Sequence, residues 1–236
     1  MRYAICSYRI TREIEENIVK LGLLPIKLRG LNKADTFGEV HPISYHPDMF
    51  CFRLHGNTLI VYESVCRSNR EILDALNIDI ITVSDPISGE YPYYIGLNCA
   101  KAGKYLICAV KYTHPLILER AALHNLEIID VRQGYAGCSV CVVRDTIITA
   151  DRGIYEKFPY EKLLIEIGAG HIDLYGYNYG FIGGCAGYFN NKLLFMGDIR
   201  RHPDCKKIKD FCDRQGVDII SLSRDKLRDY GGILIV

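Results

Sequence analysis

The sequence predicts an α/β fold, a five-fold pseudo-symmetric α/β propeller of ββαβ units closed by a C-terminal strand that pairs with the N-terminal unit. Three observations predict it. A hairpin pattern recurs along the chain. Each hairpin is followed by a helix-and-strand segment. The two ends of the chain supply the parts of one more copy.

The hairpins come first, because a repeat organises every other assignment. "FRLHGNTLIVYES" from Phe52 reads strand, turn at His55-Gly56-Asn57, strand, ending at Glu63. "CAKAGKYLICAVKY" from Cys99 turns at Gly103-Lys104. "CVVRDTIITADRGI" from Cys141 reaches Asp151, and "CAGYFNNKLLFMGDI" from Cys185 turns at Asn190-Asn191 and reaches Asp198. Two β-rich runs around a short polar turn are a hairpin signal. Glu63, Asp151 and Asp198 are expected as solvated strand ends or helix-start partners, since Tyr8 and Val110 at the matching positions are not acidic.

The segments after the hairpins repeat as well. "SNREILDALNIDIITVS" (68–84), "THPLILERAALHNLEIIDVR" (113–132) and "RHPDCKKIKDFCDRQGVDIISLS" (201–223) read as amphipathic helix then strand. His114-Pro115 and His202-Pro203 sit at matching helix starts, where proline is favoured. The stretch 155–175 is the weakest copy, with a helix starting near Pro159 and a strand in "GHIDLYG". The units run from about 45 to 86, 91 to 133, 134 to 176 and 177 to 223, within a single domain spanning 1–236. Residues 2–30 read as strand, helix, strand and lack a unit's first strand; "YGGILIV" (230–236) supplies it. A closed ring of this kind protects its sheet edges.

Composition narrows the function. Hydrophobic residues make up 49% of the chain, enough for a substantial core. Net charge is +1, from 29 basic and 28 acidic residues, which gives no pull toward nucleic acid or an anionic membrane. No apolar run reaches the roughly 18 residues of a spanning helix. The first residues turn charged too soon for a signal peptide, so a cytoplasmic location is expected.

Ten cysteines in such a setting read as reduced core residues. The C-x-x-C of Cys138 and Cys141 has zinc-site spacing, but no second pair matches it. On a strand these two side chains would point to opposite faces. Cys205 and Cys212 would lie about 10 Å apart on one helix. Neither a metal nor another cofactor is expected.

A ring of five ββαβ units resembles the pentein superfamily, which includes arginine deiminases, dimethylarginine dimethylaminohydrolases and glycine amidinotransferases. "PDMFCFRLHGNTLIV" (47–61) and "YAGCSVCVVRDTIITA" (135–150) are similar to hairpins of its guanidine-modifying members. "LRDYGGILIV" (227–236) is similar to their closing strand, which carries a nucleophilic cysteine after a Gly-Gly pair. The resemblance implies that cysteine, two carboxylates for a cationic substrate and a histidine acid/base. Here the closing strand from Gly231 to Val236 has no cysteine. Asp48 stands where the first carboxylate is expected. Tyr94 and Asn98 occupy the region of the second, and Gln133 and Tyr135 that of the histidine.

The expectation is therefore a non-catalytic pentein-like protein that binds a small polar ligand in a central channel, or a protein partner. The superfamily's ribosome anti-association factor is a precedent for a pentein without the nucleophile. In such rings the strands that open each unit line the channel. That makes His46, Asp48, Tyr94, Asn98, Gln133, Tyr135, Asn178 and Tyr179 the candidate ligand-binding residues. The alternative is a cysteine-dependent hydrolase or transferase acting on a guanidine- or amidine-like substrate with relocated residues. Its candidate nucleophiles are Cys99, Cys138 and Cys185, with His46 or His171 as base. The glycines of 168–187 are expected to permit close backbone approach rather than to cradle phosphate.

Overall fold

The structure is a computed structural model that describes residues 2–31, 42–159 and 164–236. It contains five three-stranded sheets. The first joins β1 (Arg2–Ser7) to β2 (Leu23–Leu28) in parallel, with α1 (Arg12–Lys20) crossing between them. The second begins with the one-turn helix α2 (Pro47–Phe50). The hairpin β3 (Cys51–Arg53) and β4 (Thr58–Tyr62) follows, then α3 (Glu63–Ser68), α4 (Arg70–Asp74) and β5 (Asp79–Val83). The third comprises β6 (Ala100–Ala102), β7 (Tyr105–Cys108), α5 (Pro115–Leu123) and β8 (Glu127–Asp130).

The fourth opens with α6 (Ala136–Ser139) and continues through β9 (Val140–Val143), β10 (Thr146–Thr149), α7 (Arg152–Lys157) and β11 (Leu164–Glu166). The fifth holds β12 (Ala186–Phe189), β13 (Lys192–Phe195), α8 (Cys205–Arg214) and β14 (Asp218–Ser221). In sheets two to five an antiparallel hairpin is extended by a parallel strand after the helix. This is the ββαβ unit. In the first sheet β15 (Leu234–Ile235) takes the place of the missing strand, pairing antiparallel with β1 at Ala4↔Ile235 and Ile5↔Leu234.

Buried side chains show how the sheets are arranged. One core joins sheets one, two and three through Ile5, Ile60 and Leu106. Another joins three and four through Ile107 and Ile147. A third joins four and five through Ile148 and Leu193, and a fourth joins five and one through Leu194 and Ala4. The cores thus run round in a cycle and close on themselves. Phe50, Tyr62, Phe195 and Phe211 are among the largest fully buried side chains, and each stabilises the fold by about 1.5–3 kcal/mol.

Local chemistry explains the elements. Asn190 and Asn191 both adopt positive φ, 46° and 57°, as a two-residue hairpin turn requires. His114 accepts a hydrogen bond from Leu116 N at the start of α5. Asp151 caps α7 through Ile154 N, and Asp198 accepts from Arg200 N. Those histidine and aspartate positions are helix starts.

Three details differ from the sequence expectation. The segments opening the units are not strands: Asp48 and Cys138 lie on one-turn helices, and Tyr91–Asn98 forms turns before β6. In the fourth unit α7 precedes Pro159 and the third strand is Leu164–Glu166, because Ile147 to Thr149 pair with those residues. "GHIDLYG" instead makes a single bridge, Asp173 to Arg228. In the second unit the helix breaks at Asn69, whose side chain accepts from Arg29 N and donates to Arg29 O and Val65 O. Among the described residues no helix is long and apolar enough to cross a membrane.

Candidate ligand site around Cys138 and Asp48

The turns that lead into the sheets carry the polar residues of the site. His46 precedes Pro47, and the proline fixes the backbone between His46 and Asp48. Asp48 N donates to Gly231 O over 3.3 Å, which ties α2 to the chain entering β15. Gly231 has φ +80°, and a Cβ there would lie 2.3 Å from His46 Cβ. Only glycine lets these two backbones approach so closely.

Asn98 holds α6 in place. Its Oδ1 accepts from Gly137 N at 2.7 Å and Cys138 N at 3.3 Å. Its Nδ2 donates to Asp48 O at 3.1 Å and to Cys138 Sγ at 3.3 Å. The Cys138 thiol donates to Asp48 Oδ2 at 2.8 Å. Asp48 Oδ1 is buried with no hydrogen-bond partner. Asp229 accepts from Phe181 N and Gly231 N, both at 2.9 Å, and its Oδ1 lies 3.5 Å from His46 Nδ1.

The electrostatics are acidic. Burial, then the charge of Asp229, raises the Asp48 carboxyl from 3.8 to about 7. Burial, then Asp48 and Asp229, pushes the Cys138 thiol well above its ordinary value. The resting group is a thiol and not a thiolate.

A cavity of about 260 Å³ opens above Cys138, His46 and Asp229. Its walls are mostly apolar and aromatic, with Tyr135, Tyr177, Tyr179 and Phe181 prominent. No lysine or arginine is among its described lining residues. The Tyr135 and Tyr94 hydroxyls meet at 2.5 Å and brace one wall. A second cavity, about 400 Å³, is lined in part by Asp48, Cys99, Gly137 and Gly231. The bond from Cys138 to Asp48 therefore links the linings of the two cavities.

The family model for a "family of unknown function (DUF6873)" matches residues 5–234. The chain belongs to DUF6873. No curated protein matches it. Among solved structures, this DUF6873 chain is similar to a dimethylarginine dimethylaminohydrolase from Pseudomonas aeruginosa, a cysteine-to-serine mutant complexed with citrulline. The TM-score is 0.51 at 12% identity, covering 93% of this chain and 90% of that one. It is also similar to an amidinotransferase of saxitoxin biosynthesis from Microseira wollei, with TM-score 0.56 at 10% identity, covering 93% and 87%. A dimethylarginine dimethylaminohydrolase adduct with 4-chloro-2-hydroxymethylpyridine matches at TM-score 0.53 and 11% identity, covering 93% and 90%. At these identities the likeness concerns the fold, which is that of the pentein superfamily.

The DUF6873 structure sorts the candidate residues. His46, Tyr135, Cys138, Asn178 and Tyr179 line the smaller cavity. Asp48 and Asn98 bond to Cys138 beneath it, and Tyr94 reaches the wall through Tyr135. Gln133 points elsewhere, donating to Asp151 at 2.8 Å. His171 packs against His202 with ring centroids 5.4 Å apart, and Asp173 pairs with Lys226, so His171 and Asp173 form no working pair. The Cys185 thiol donates to Ile182 O, and Cys99 lies 3.9 Å from Thr113 Oγ1. Cys138 and Cys141 are both free and fall in different cores. Gly183 allows close approach, since a Cβ there would lie 2.7 Å from Cys138 O.

Asp229 was not expected. Its signal is an acidic residue two positions before the Gly231-Gly232 pair, and only ring closure brings it beside His46.

Proposed function

We propose that this DUF6873 protein binds a small ligand whose positively charged end sits against Cys138, Asp48 and Asp229, with its apolar body between the aromatic walls. One observation carries this reading. His46, Cys138 and Asp229 lie at the floor of a cavity that has no described lysine or arginine in its lining, and the second carboxylate, Asp48, accepts from the Cys138 thiol just beneath it. A cation there would balance the buried carboxylates, and tyrosine and phenylalanine faces attract cations further. The likeness to enzymes of guanidine compounds agrees with the charge sign and adds nothing about the reaction.

Benzamidine, a cation on an aromatic body, tests this against neutral benzamide in a thermal-shift titration. Benzamidine should raise the melting temperature and benzamide should not, and D48N should remove the difference. Equal responses to both compounds, or none, reject the reading.

The second reading is cysteine-dependent chemistry on a guanidine- or amidine-like substrate. It is favoured by one fact: the Cys138 Sγ and a His46 ring nitrogen lie within 4.8 Å of each other. The thiol must first lose its proton, and a bound cation beside Asp48 and Asp229 would make that easier. This reading requires 2-chloroacetamidine, an alkylating agent that carries the amidinium itself, to modify Cys138 faster than neutral chloroacetamide does and ahead of the more exposed cysteines.

A further inference from the structure

We infer that His46, Asp48 and Cys138 form a binding site for a divalent transition metal ion, of which zinc best suits the donor set. The inference rests on the reading that the cavity floor accepts positive charge, and it names a ligand class for that floor.

One imidazole nitrogen, one carboxylate oxygen and the Cys138 sulfur all lie within 4.8 Å of one another. Around a tetrahedral zinc such donors stand about 3.5 Å apart, given bonds of about 2.0–2.3 Å. Small rotations of the side chains close that gap. Nitrogen, oxygen and sulfur together select borderline ions over calcium or magnesium.

Three further observations point to an ion. Asp48 Oδ1 is buried and has no hydrogen-bond partner, so the carboxylate has unused donor capacity inside the site. Asn98 Nδ2 donates to Cys138 Sγ at 3.3 Å, the kind of contact that supports a metal-bound thiolate. Asp229 lies 3.5 Å from His46 Nδ1 and is itself anchored by two backbone N–H groups. A carboxylate behind a ligating histidine fixes the ring's orientation.

The scaffold is stiff where the ligands sit. His46 and Asp48 flank Pro47, and Gly231 packs against His46. Cys138 rides on a helix turn whose N–H groups are held by Asn98. Three protein ligands leave one position, and Cys138 and His46 both face the cavity. A ligand or water entering from the cavity would complete the coordination. Sequence spacing hides the site, because its ligands come from two turns ninety residues apart and not from a C-x-x-C pair.

Cobalt(II) titration of the full chain tests the site, because cobalt reports its own ligands. The expected result is one equivalent bound, with tetrahedral visible bands and a near-ultraviolet sulfur-to-metal charge-transfer band. Zinc should displace both. C138S, which keeps a hydrogen-bond donor for Asp48, should lose the charge-transfer band. D48N and H46Q should weaken binding tenfold or more, as removal of a ligand does. C66S serves as a cysteine control and should leave the spectrum unchanged. Far-UV circular dichroism establishes that each variant is folded.

A charge-transfer band that survives in folded C138S, or no stoichiometric cobalt binding, overturns the metal site. Benzamidine binding without cobalt binding removes the metal and leaves the ligand reading intact. Cobalt binding without benzamidine binding does the reverse.

Discussion

Cys138 Sγ donates to Asp48 Oδ2 across 2.8 Å of space and ninety residues of chain. That contact joins the turn that opens the second sheet to the turn that opens the fourth. The two groups act on each other in opposite senses: Asp48 raises the thiol's hold on its proton, while the thiol's hydrogen bond lowers that of the carboxyl against the larger effects of burial and Asp229.

Asp48 makes the metal-free protein sensitive to pH. The folded chain holds the carboxyl proton up to about pH 7, whereas the ordinary value is 3.8. Between those values the folded state binds more protons than the unfolded state, so stability falls as pH rises through that window. The full effect is on the order of a few kcal/mol. Urea unfolding of wild type and D48N at several pH values, with a chelator present, measures it. The advantage of wild type over D48N should shrink from pH 4 to pH 8, and a constant difference would rule the effect out.

Cys138 should be slow to alkylate in the free protein, because burial and two acidic neighbours keep it a thiol. Cys66 and Cys205 are the partly exposed cysteines and should react first. Peptide mapping after brief iodoacetamide treatment at pH 7 reads the order. D48N should speed Cys138 several-fold by removing one of the charges that oppose the thiolate.

Asp229 is a structural anchor as well as a charge. Replacing it with alanine removes the acceptor of Phe181 N and Gly231 N. Each buried donor left unsatisfied costs about 1–3 kcal/mol. D229A should therefore lose about 2–6 kcal/mol in denaturant unfolding, and D229N, which retains one acceptor oxygen, roughly half of that. A loss below about 1 kcal/mol in D229A would show that water replaces the carboxylate.

Two glycine substitutions separate backbone strain from crowding. Gly231 and Gly56 both have positive φ, +80° and +53°. A Cβ at Gly56 meets nothing within 4 Å, so G56A should cost only about 1 kcal/mol. At Gly231 the Cβ runs into His46, and overpacking adds about 1–3 kcal/mol. G231A should melt well below G56A in a thermal scan; similar melting temperatures would show that His46 can move aside.

The five-sheet architecture was legible because hairpins leave a two-residue alternation that a repeat makes visible. Phe52 to Glu63 and Cys185 to Asp198 show it directly. The turns between units were not legible in the same way. One-turn helices such as Pro47–Phe50 and Ala136–Ser139 are too short to leave a periodicity, and they were absorbed into the strands that follow. Cys138 was therefore placed on a strand, although it stood among the candidates. The helix break at Asn69 depends on Arg29, forty residues away, and no local pattern carries such a contact. Asp229 was missed for the same reason: its partners His46 and Phe181 are neighbours only after the ring has closed.

That closure has a consequence in time. Synthesis proceeds from one end, so Asp48 and Cys138 leave the ribosome long before Asp229 and β15. Sheets two, three and four can assemble on the emerging chain, but β1 waits for Leu234 and Ile235 before its edge is paired. Until then the acidic floor is incomplete and His46 lacks the carboxylate beside it. A nascent or prematurely stopped chain would therefore lack both the strand that pairs with β1 and the carboxylate beside His46.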